Sequence, residues 1–320
     1  MAIASVDQVR PRLAAVDVAR GVAIVAMVVY HTAFDLSAAR LISTDVASDV
    51  GWKILARLTA GTFLFLVGVS LVLATRDGFR RDAFLRRLAL ILGGAALVTL
   101  GTWLFDPETF VFFGILHEIV LASVLALPFL RLPSAAVAGA AAFFLALPSF
   151  FTHPVFDWWP LWWVGLSTAP PLTIDYVPVF PWFGVVLAGV VAGRLLVAYG
   201  QGLRRWRADG EPWRWLILAG RWSLLIYLVH QPLIVGAVTL AARVLPPNEA
   251  VARANFMGEC MAACTADRDA ATCTAFCGCM FDGLYGTELF SKNSFAEMSP
   301  VQRDEFDGIF ARCTTPPGGD

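Results

Sequence analysis

The polar residues that could do chemistry are few, and they interrupt stretches otherwise made of Ala, Val, Leu, Ile and Phe. The densest set is Asp17, Arg20, His31 and Asp35, at successive separations of three, eleven and four residues. At about 100° per residue these separations place all four on one face of a helix, with Arg20 and His31 about 16 Å apart along a single polar stripe. A carboxylate one turn from an imidazole orients the ring and stabilises its protonated form. His31 with Asp35 therefore reads as a general base, or a nucleophile, with its orienting acid. Plainer readings stay open: His31 as a structural histidine bonded to a neighbouring helix, and Asp17 with Arg20 as an ion pair at a membrane surface.

Two further clusters carry similar groups. Gly114-Ile-Leu-His117-Glu118 puts an imidazole beside a carboxylate inside an apolar run, as a relay, a substrate contact or a buried structural pair. Ser223, Tyr227, His230 and Gln231 share one face of a second apolar run, and His230 is a second histidine candidate.

The elements that must hold these groups are set by composition. A chain of 320 residues, 58% hydrophobic and 15% charged, with mean hydropathy +0.68, does not have the make-up of a soluble globular domain. A hydrocarbon core about 30 Å thick needs about 20 apolar residues per helix. Seven such runs are expected, near residues 15–37, 54–75, 84–104, 111–130, 134–152, 177–199 and 221–244. The fourth and fifth, joined by Arg131-Leu-Pro-Ser134, also read as one long hairpin, and Pro148 and Pro178 predict kinks. The first run is long and lacks a small-residue cleavage site, so it is expected to stay as a span. The fold class is thus all-α integral membrane. Its regions are a cytoplasmic segment 1–14, a transmembrane domain 15–245 and an extracytoplasmic tail 246–320.

Arginines near short loops resist translocation. Arg10, Arg12 and Arg20, then Arg76, Arg80, Arg81, Arg86 and Arg87, then Arg204, Arg205, Arg207 and Arg214 mark the cytoplasmic side of an inner membrane. Asp106-Pro-Glu108 and the stretch from His153 to Asp175 hold no Lys or Arg and are expected outside. Topology accounts for most of these arginines, and contact with phosphate groups is the sharper alternative. In the outer stretch, Phe156, Trp158, Trp159, Trp162 and Trp163, with Tyr176 and Trp182 beyond, suit an interfacial belt or stacking on sugar rings.

An odd number of spans from a cytoplasmic start places the tail outside, where disulfides persist. All six cysteines are there. Cysteines four apart share a helix face, so two short helices could be stapled as Cys260–Cys277 and Cys264–Cys273, leaving Cys279 and Cys313 as a third pair; fifteen pairings are formally available. The tail reads as a small stapled cap or a partner-binding module. Zinc on four thiolates is the alternative, but the spacing departs from Cys-x2-Cys knuckles, and no metal is expected.

Several segments together resemble a known family. They are Asp17-x2-Arg20-Gly-x2-Ile-x2-Met-x3-His31, Phe63–Ser70, Gly114-Ile-Leu-His117, Pro178–Gly184 and Arg221–Pro232. The ordered set resembles bacterial members of the heparan-alpha-glucosaminide N-acetyltransferase catalytic-domain family. The Arg-x10-His spacing is also similar to that of inner-membrane glycan O-acyltransferases. The resemblance implies transmembrane acetylation, with acetyl-CoA as co-substrate from the cytoplasm, no permanently bound cofactor, and a glycan or amino-sugar acceptor outside. Within it, His31 is expected as base or acetyl carrier, Asp35 as its orienting carboxylate, Arg20 as a contact to the donor, and Asp17, His117, Glu118, Ser223, Tyr227, His230 and Gln231 as cavity-lining groups. The tail is not part of the resemblance.

Two other classes stay open: a transporter or flippase, which also buries ionisable residues in its spans, and a membrane anchor whose working part is the tail. Membrane lipids are expected partners and nucleic acid is not. A homo-oligomer is left open.

Overall fold

The computed structural model describes residues 13–206, 209–244, 249–291 and 298–314. Arg10, Arg12 and Arg207, the side chains of Arg204 and Arg205, and the expected boundary at 245–246 lie outside the described residues. Apart from short 3-10 turns, the regular elements described are α-helices. They run α1 (Ala14–Ala38), α2 (Val50–Thr75), α3 (Arg81–Phe105), α4 (Ile115–Phe129), α5 (Ser134–Ala146), α6 (Val179–Tyr199), α7 (Gln201–Arg205), α8 (Glu211–Arg221), α9 (Ser223–Val244), α10 (Glu249–Cys264), α11 (Ala270–Leu284) and α12 (Pro300–Thr314).

Five of these, α1, α2, α3, α6 and α9, are long and apolar enough to cross a membrane, while α4 and α5 are shorter apolar helices. The run expected at 111–130 becomes helical only at Ile115, because the backbone before it is paired with a segment far along the chain. The Ile174 N–H donates to the Thr109 carbonyl at 2.9 Å, the Val177 N–H to the Phe113 carbonyl at 3.2 Å, and the Thr173 hydroxyl to the Phe110 carbonyl at 2.8 Å. Non-helical backbone is tolerated in an apolar setting when protein supplies its hydrogen bonds. The run expected at 134–152 closes earlier, in a 3-10 turn over Leu147–Ser149 that contains Pro148. The run expected at 221–244 divides at Trp222, with Arg221 ending α8 and Ser223 opening α9.

The chain forms two compact units, one of Met1–Thr32 with Val50–Ile234, the other of Ala33–Asp49 with Val235–Asp320. In the first, α2 and α6 meet backbone to backbone. A Cβ added at Gly68 would lie 2.0 Å from the Val186 carbonyl oxygen, and one at Gly189 would lie 2.1 Å from that of Phe65. Small residues let apolar helices approach this closely, so dispersion can hold them together where lipid offers no hydrophobic drive. Leu64, Val67, Leu71, Phe183, Val186, Leu187 and Val190 fill the core around this crossing.

Arg194 of α6 fixes the α4–α5 turn. Its guanidinium donates to the carbonyls of Phe129 (2.9 Å), Leu130 (3.0 Å) and Leu132 (2.8 Å) and to the Ser134 hydroxyl (3.2 Å). The end of a helix leaves carbonyls without intrahelical donors, and a cation there also suits the helix dipole.

In the second unit, α10 and α11 are stapled by Cys260–Cys277 and Cys264–Cys273, and Cys279–Cys313 ties α11 to α12. The Asp269 carboxylate caps α11 by accepting from the Thr272 N–H at 2.9 Å. Ser299 and Gln302 form a reciprocal capping box at α12, each accepting from the other's backbone N–H. Met280, Leu284, Leu289, Met298 and Ile309 make a small core, with Phe256, Phe276, Phe290 and Phe306 packed on it.

Candidate functional site

The polar face of α1 opens onto a cavity of about 610 Å³ in the first unit. Asp17 and Arg20 of α1, Ser70 of α2, Arg86 and Arg87 of α3, Arg221 of α8, and Ser223 and Tyr227 of α9 supply its polar lining. Arg20 is held from two sides, its guanidinium 3.2 Å from the Asp17 carboxylate and donating to the Ser70 hydroxyl at 2.5 Å. The second Asp17 oxygen lies 3.7 Å from Nε of Arg221. Four arginines and one buried carboxylate thus line the cavity, Arg20 and Arg221 being the two beside Asp17, and the excess of positive charge suits an anion with several phosphate oxygens.

Two glycines set this geometry. A Cβ on Gly220 would fall 1.9 Å from the Asp17 carbonyl oxygen, and one on Gly21 would fall 2.1 Å from that of Leu216. Only hydrogen at both positions lets α8 lie against the first turns of α1 and bring Arg221 to the cavity.

Tyr227, at one end of this lining, hydrogen-bonds the Asp175 carboxyl in the loop before α6, and that carboxyl also accepts from the Ile115 N–H at 3.0 Å. One turn along α9, His230 brings Nδ1 to 2.7 Å from the Tyr227 carbonyl oxygen. A carbonyl only accepts, so Nδ1 is the donor here and Nε2 is the ring nitrogen left over. That Nε2 is buried and has no hydrogen-bond partner among the described residues. The ring of His31 packs edge-on against His230, centroids 5.1 Å apart, and Tyr30 lies 5.4 Å from the other side of His31.

His117 is differently employed. Its Nδ1 accepts from the Gly114 N–H at 3.2 Å, and its Nε2 lies 3.2 Å from a Thr99 hydroxyl that already donates to the Val111 carbonyl. Both nitrogens are spent on starting α4 and tying it to α3. The adjacent Glu118 is fully buried, and neither carboxyl oxygen has a hydrogen-bond partner among the described residues.

Of the residues the sequence singled out, Asp17, Arg20, Ser223 and Tyr227 line the cavity together. His31 and His230 pair beyond it, Asp35 lies one turn further along α1, and His117, Glu118 and Gln231 are outside the cavity lining. Sequence reasoning had not put Asp175, Ser70 or Arg221 in the site. Ser70 and Arg221 do stand in the motif segments Phe63–Ser70 and Arg221–Pro232, which was a usable signal. Asp175 joins across 60 residues to Ile115, and no local pattern marks it.

In the outer loop, the Asp157 carboxylate accepts from the Ser167 hydroxyl (2.6 Å) and from the backbone N–H (2.7 Å) and hydroxyl (2.5 Å) of Thr168, which hold its pKa down at about 2. The Tyr176 hydroxyl donates to the Trp162 carbonyl at 2.6 Å, and Phe112 sits between the rings of Trp162 and Tyr176. The aromatic segment, expected as an interfacial belt or a sugar-stacking surface, is thus a loop braced by its own hydrogen bonds.

A multi-pass helical membrane protein with an arginine-lined cavity and a buried histidine pair is what the fold and the site define. The family model described as Heparan-alpha-glucosaminide N-acetyltransferase, catalytic, matches residues 12–232, and the chain belongs to that family. Membership implies membrane acetyltransferase activity with acetyl-CoA as co-substrate. No curated protein and no solved structure matches the chain.

Proposed function

We propose that this protein takes the acetyl group of cytoplasmic acetyl-CoA and transfers it to an amine or hydroxyl of an extracytoplasmic sugar, through a bundle of seven spans completed by α4 and α5. The observation that carries the reading is the cavity where Arg20, Arg86, Arg87 and Arg221 converge, with the His31–His230 pair about 16 Å along α1 from Arg20. Guanidinium groups suit the phosphates of CoA, and an extended pantetheine arm would point the thioester toward the histidines. The arginine-rich end is the cytoplasmic one by the charge rule, which places the braced aromatic loop and the disulfide-bonded tail outside.

In the reaction, the acceptor nitrogen or oxygen attacks the thioester carbonyl, the C–S bond breaks, and CoA leaves as its thiolate. A base must take the acceptor's proton as that bond forms. His31 fills this role, or carries the acetyl group between two successive transfers, with Asp35 orienting it and His230 packed against its ring. Asp17 and Ser70 hold Arg20 for the donor, and Ser223 and Tyr227 contact it further in.

Acetyl transfer from radiolabelled acetyl-CoA in membrane vesicles tests the assignment. Arg20→Ala and Arg87→Ala should each raise the donor KM about tenfold or more, the worth of a charge-assisted contact. His31→Ala should abolish turnover, and near-wild-type turnover in that variant would remove His31 from the mechanism.

A further inference from the structure

Helix α8 has a face that none of the described residues covers. Leu216, Ile217 and Ala219 are partly buried and Gly220 fully so, with Leu216 and Gly220 against α1. On the opposite side Trp215 is 66%, Leu218 44% and Trp222 55% exposed. Positions 215, 218 and 222, the last being the residue that caps α8 with its N–H on the Leu218 carbonyl, are spaced by three and four, so they form one stripe of large apolar side chains. Arg214 is the cation nearest to this stripe in sequence apart from Arg221, and it is engaged by Glu211 at 2.7 Å.

Two independent lengths fix the depth of this stripe. Helix α9 has 22 residues and is about 33 Å long, so it fills a hydrocarbon core without help from α8. Helix α8 touches α1 at Asp17 and Gly21, which are three and seven residues past the helix start at Ala14, or about 5–10 Å along it. Amphipathic helices lie in the membrane plane with their apolar face at that depth, and tryptophan prefers that zone.

We infer that α8 is an interfacial helix whose Trp215, Leu218 and Trp222 stripe seats in the headgroup–acyl boundary of the leaflet, and that this seating holds Arg221 in the donor cavity. Because Gly220 lies on the Asp17 carbonyl and Arg221 follows it directly, a helix lifted from the boundary carries Arg221 away from Asp17. The bilayer thus supplies one wall of the cavity indirectly. The second half of the inference rests on the donor reading given above; the first half does not.

The full-length protein in lipid nanodiscs provides the test. Tryptophan emission is compared between lipids with and without bromine on the upper acyl carbons, and the contribution of Trp215 is the difference between wild type and Trp215→Phe. Quenching of that contribution is expected. In the same nanodiscs Trp215→Gln and Leu218→Gln should raise the acetyl-CoA KM about tenfold with kcat little changed, whereas Trp215→Phe keeps the wild-type KM. An unquenched Trp215 overturns the seating, and so does its burial by a second copy in samples that run as dimers. If Arg20→Ala and Arg87→Ala raise KM but Trp215→Gln and Leu218→Gln, correctly folded by thermal unfolding, leave it unchanged, the link to Arg221 is overturned while the donor cavity stands. If Arg20→Ala and Arg87→Ala leave donor binding unchanged, the donor reading fails, the link to donor binding falls with it, and quenching alone decides the seating.

Discussion

Adding one methyl group at Gly220 should damage this protein more than adding it almost anywhere else on the bundle. The Cβ would sit 1.9 Å from the Asp17 carbonyl oxygen, about 1.5 Å short of ordinary contact at 3.4 Å. The obstructing atom is backbone, so it cannot rotate aside, and α8 must move from α1 by about that distance. Overpacking of this kind costs about 1–3 kcal/mol. A displacement of about 1 Å in a group that positions a substrate can cost about a hundredfold in the step it serves. Gly220→Ala, and Gly21→Ala at 2.1 Å from the Leu216 carbonyl oxygen, should therefore lower the thermal unfolding temperature in detergent and raise the acetyl-CoA KM together. Gly93→Ala and Gly101→Ala on α3 are the controls, because a Cβ there meets nothing within 4 Å. Those two should be neutral or gain up to about 1 kcal/mol of helix propensity. A Gly220→Ala protein that unfolds at the wild-type temperature with the wild-type KM would refute the close approach and the placement of Arg221 built on it.

Arg194→Ala should destabilise the first unit by about 1.5–3 kcal/mol, since it strips the α4–α5 turn of a charged donor to three carbonyls; Arg194→Lys should recover only part of that, as a point charge cannot reach them all. Thermal unfolding reads both. The Asp157 latch follows a carboxylate held down at about 2, so its contribution is present above the ordinary aspartate range and is lost only as pH falls toward 2. Limited proteolysis across residues 150–178 should accordingly be unchanged between pH 8 and pH 5, while Asp157→Ala should open that segment at pH 7.

What the sequence made legible was whatever local periodicity controls. The long apolar runs became α1, α2, α3, α6 and α9, and the cysteine pairs in the structure are those that four-residue spacing on two helices offered. The stripe from Asp17 to Arg20 faces the cavity because a helix carries both on one side. Distant partners stayed hidden. The late start of α4 depends on backbone pairing with residues some 60 positions away, and Asp175 reaches Tyr227 and Ile115 over similar gaps. The sequence left His117 open between a relay, a substrate contact and a buried structural pair, and its two nitrogens are engaged by Gly114 and Thr99, partners that no local pattern announces. Helix α8 was invisible as a helix because eleven residues rich in Trp and Arg give no span-length signal, while Arg86 and Arg87, read for topology with phosphate contact as the alternative, line the same cavity as Arg20.

The short fourth helix has a geometric consequence. Its 15 residues reach about 22 Å, some 8 Å less than a hydrocarbon core of about 30 Å, and the irregular backbone at 109–113 that precedes it is hydrogen-bonded to 173–177. Apolar barrier and covalent chain thus differ in length here. On the proposed reading, with α4 as a span, a polar acceptor arriving over that paired backbone would meet the bundle below the level of the surrounding lipid, so the acetyl group would have a thinner wall to cross than the bilayer itself presents.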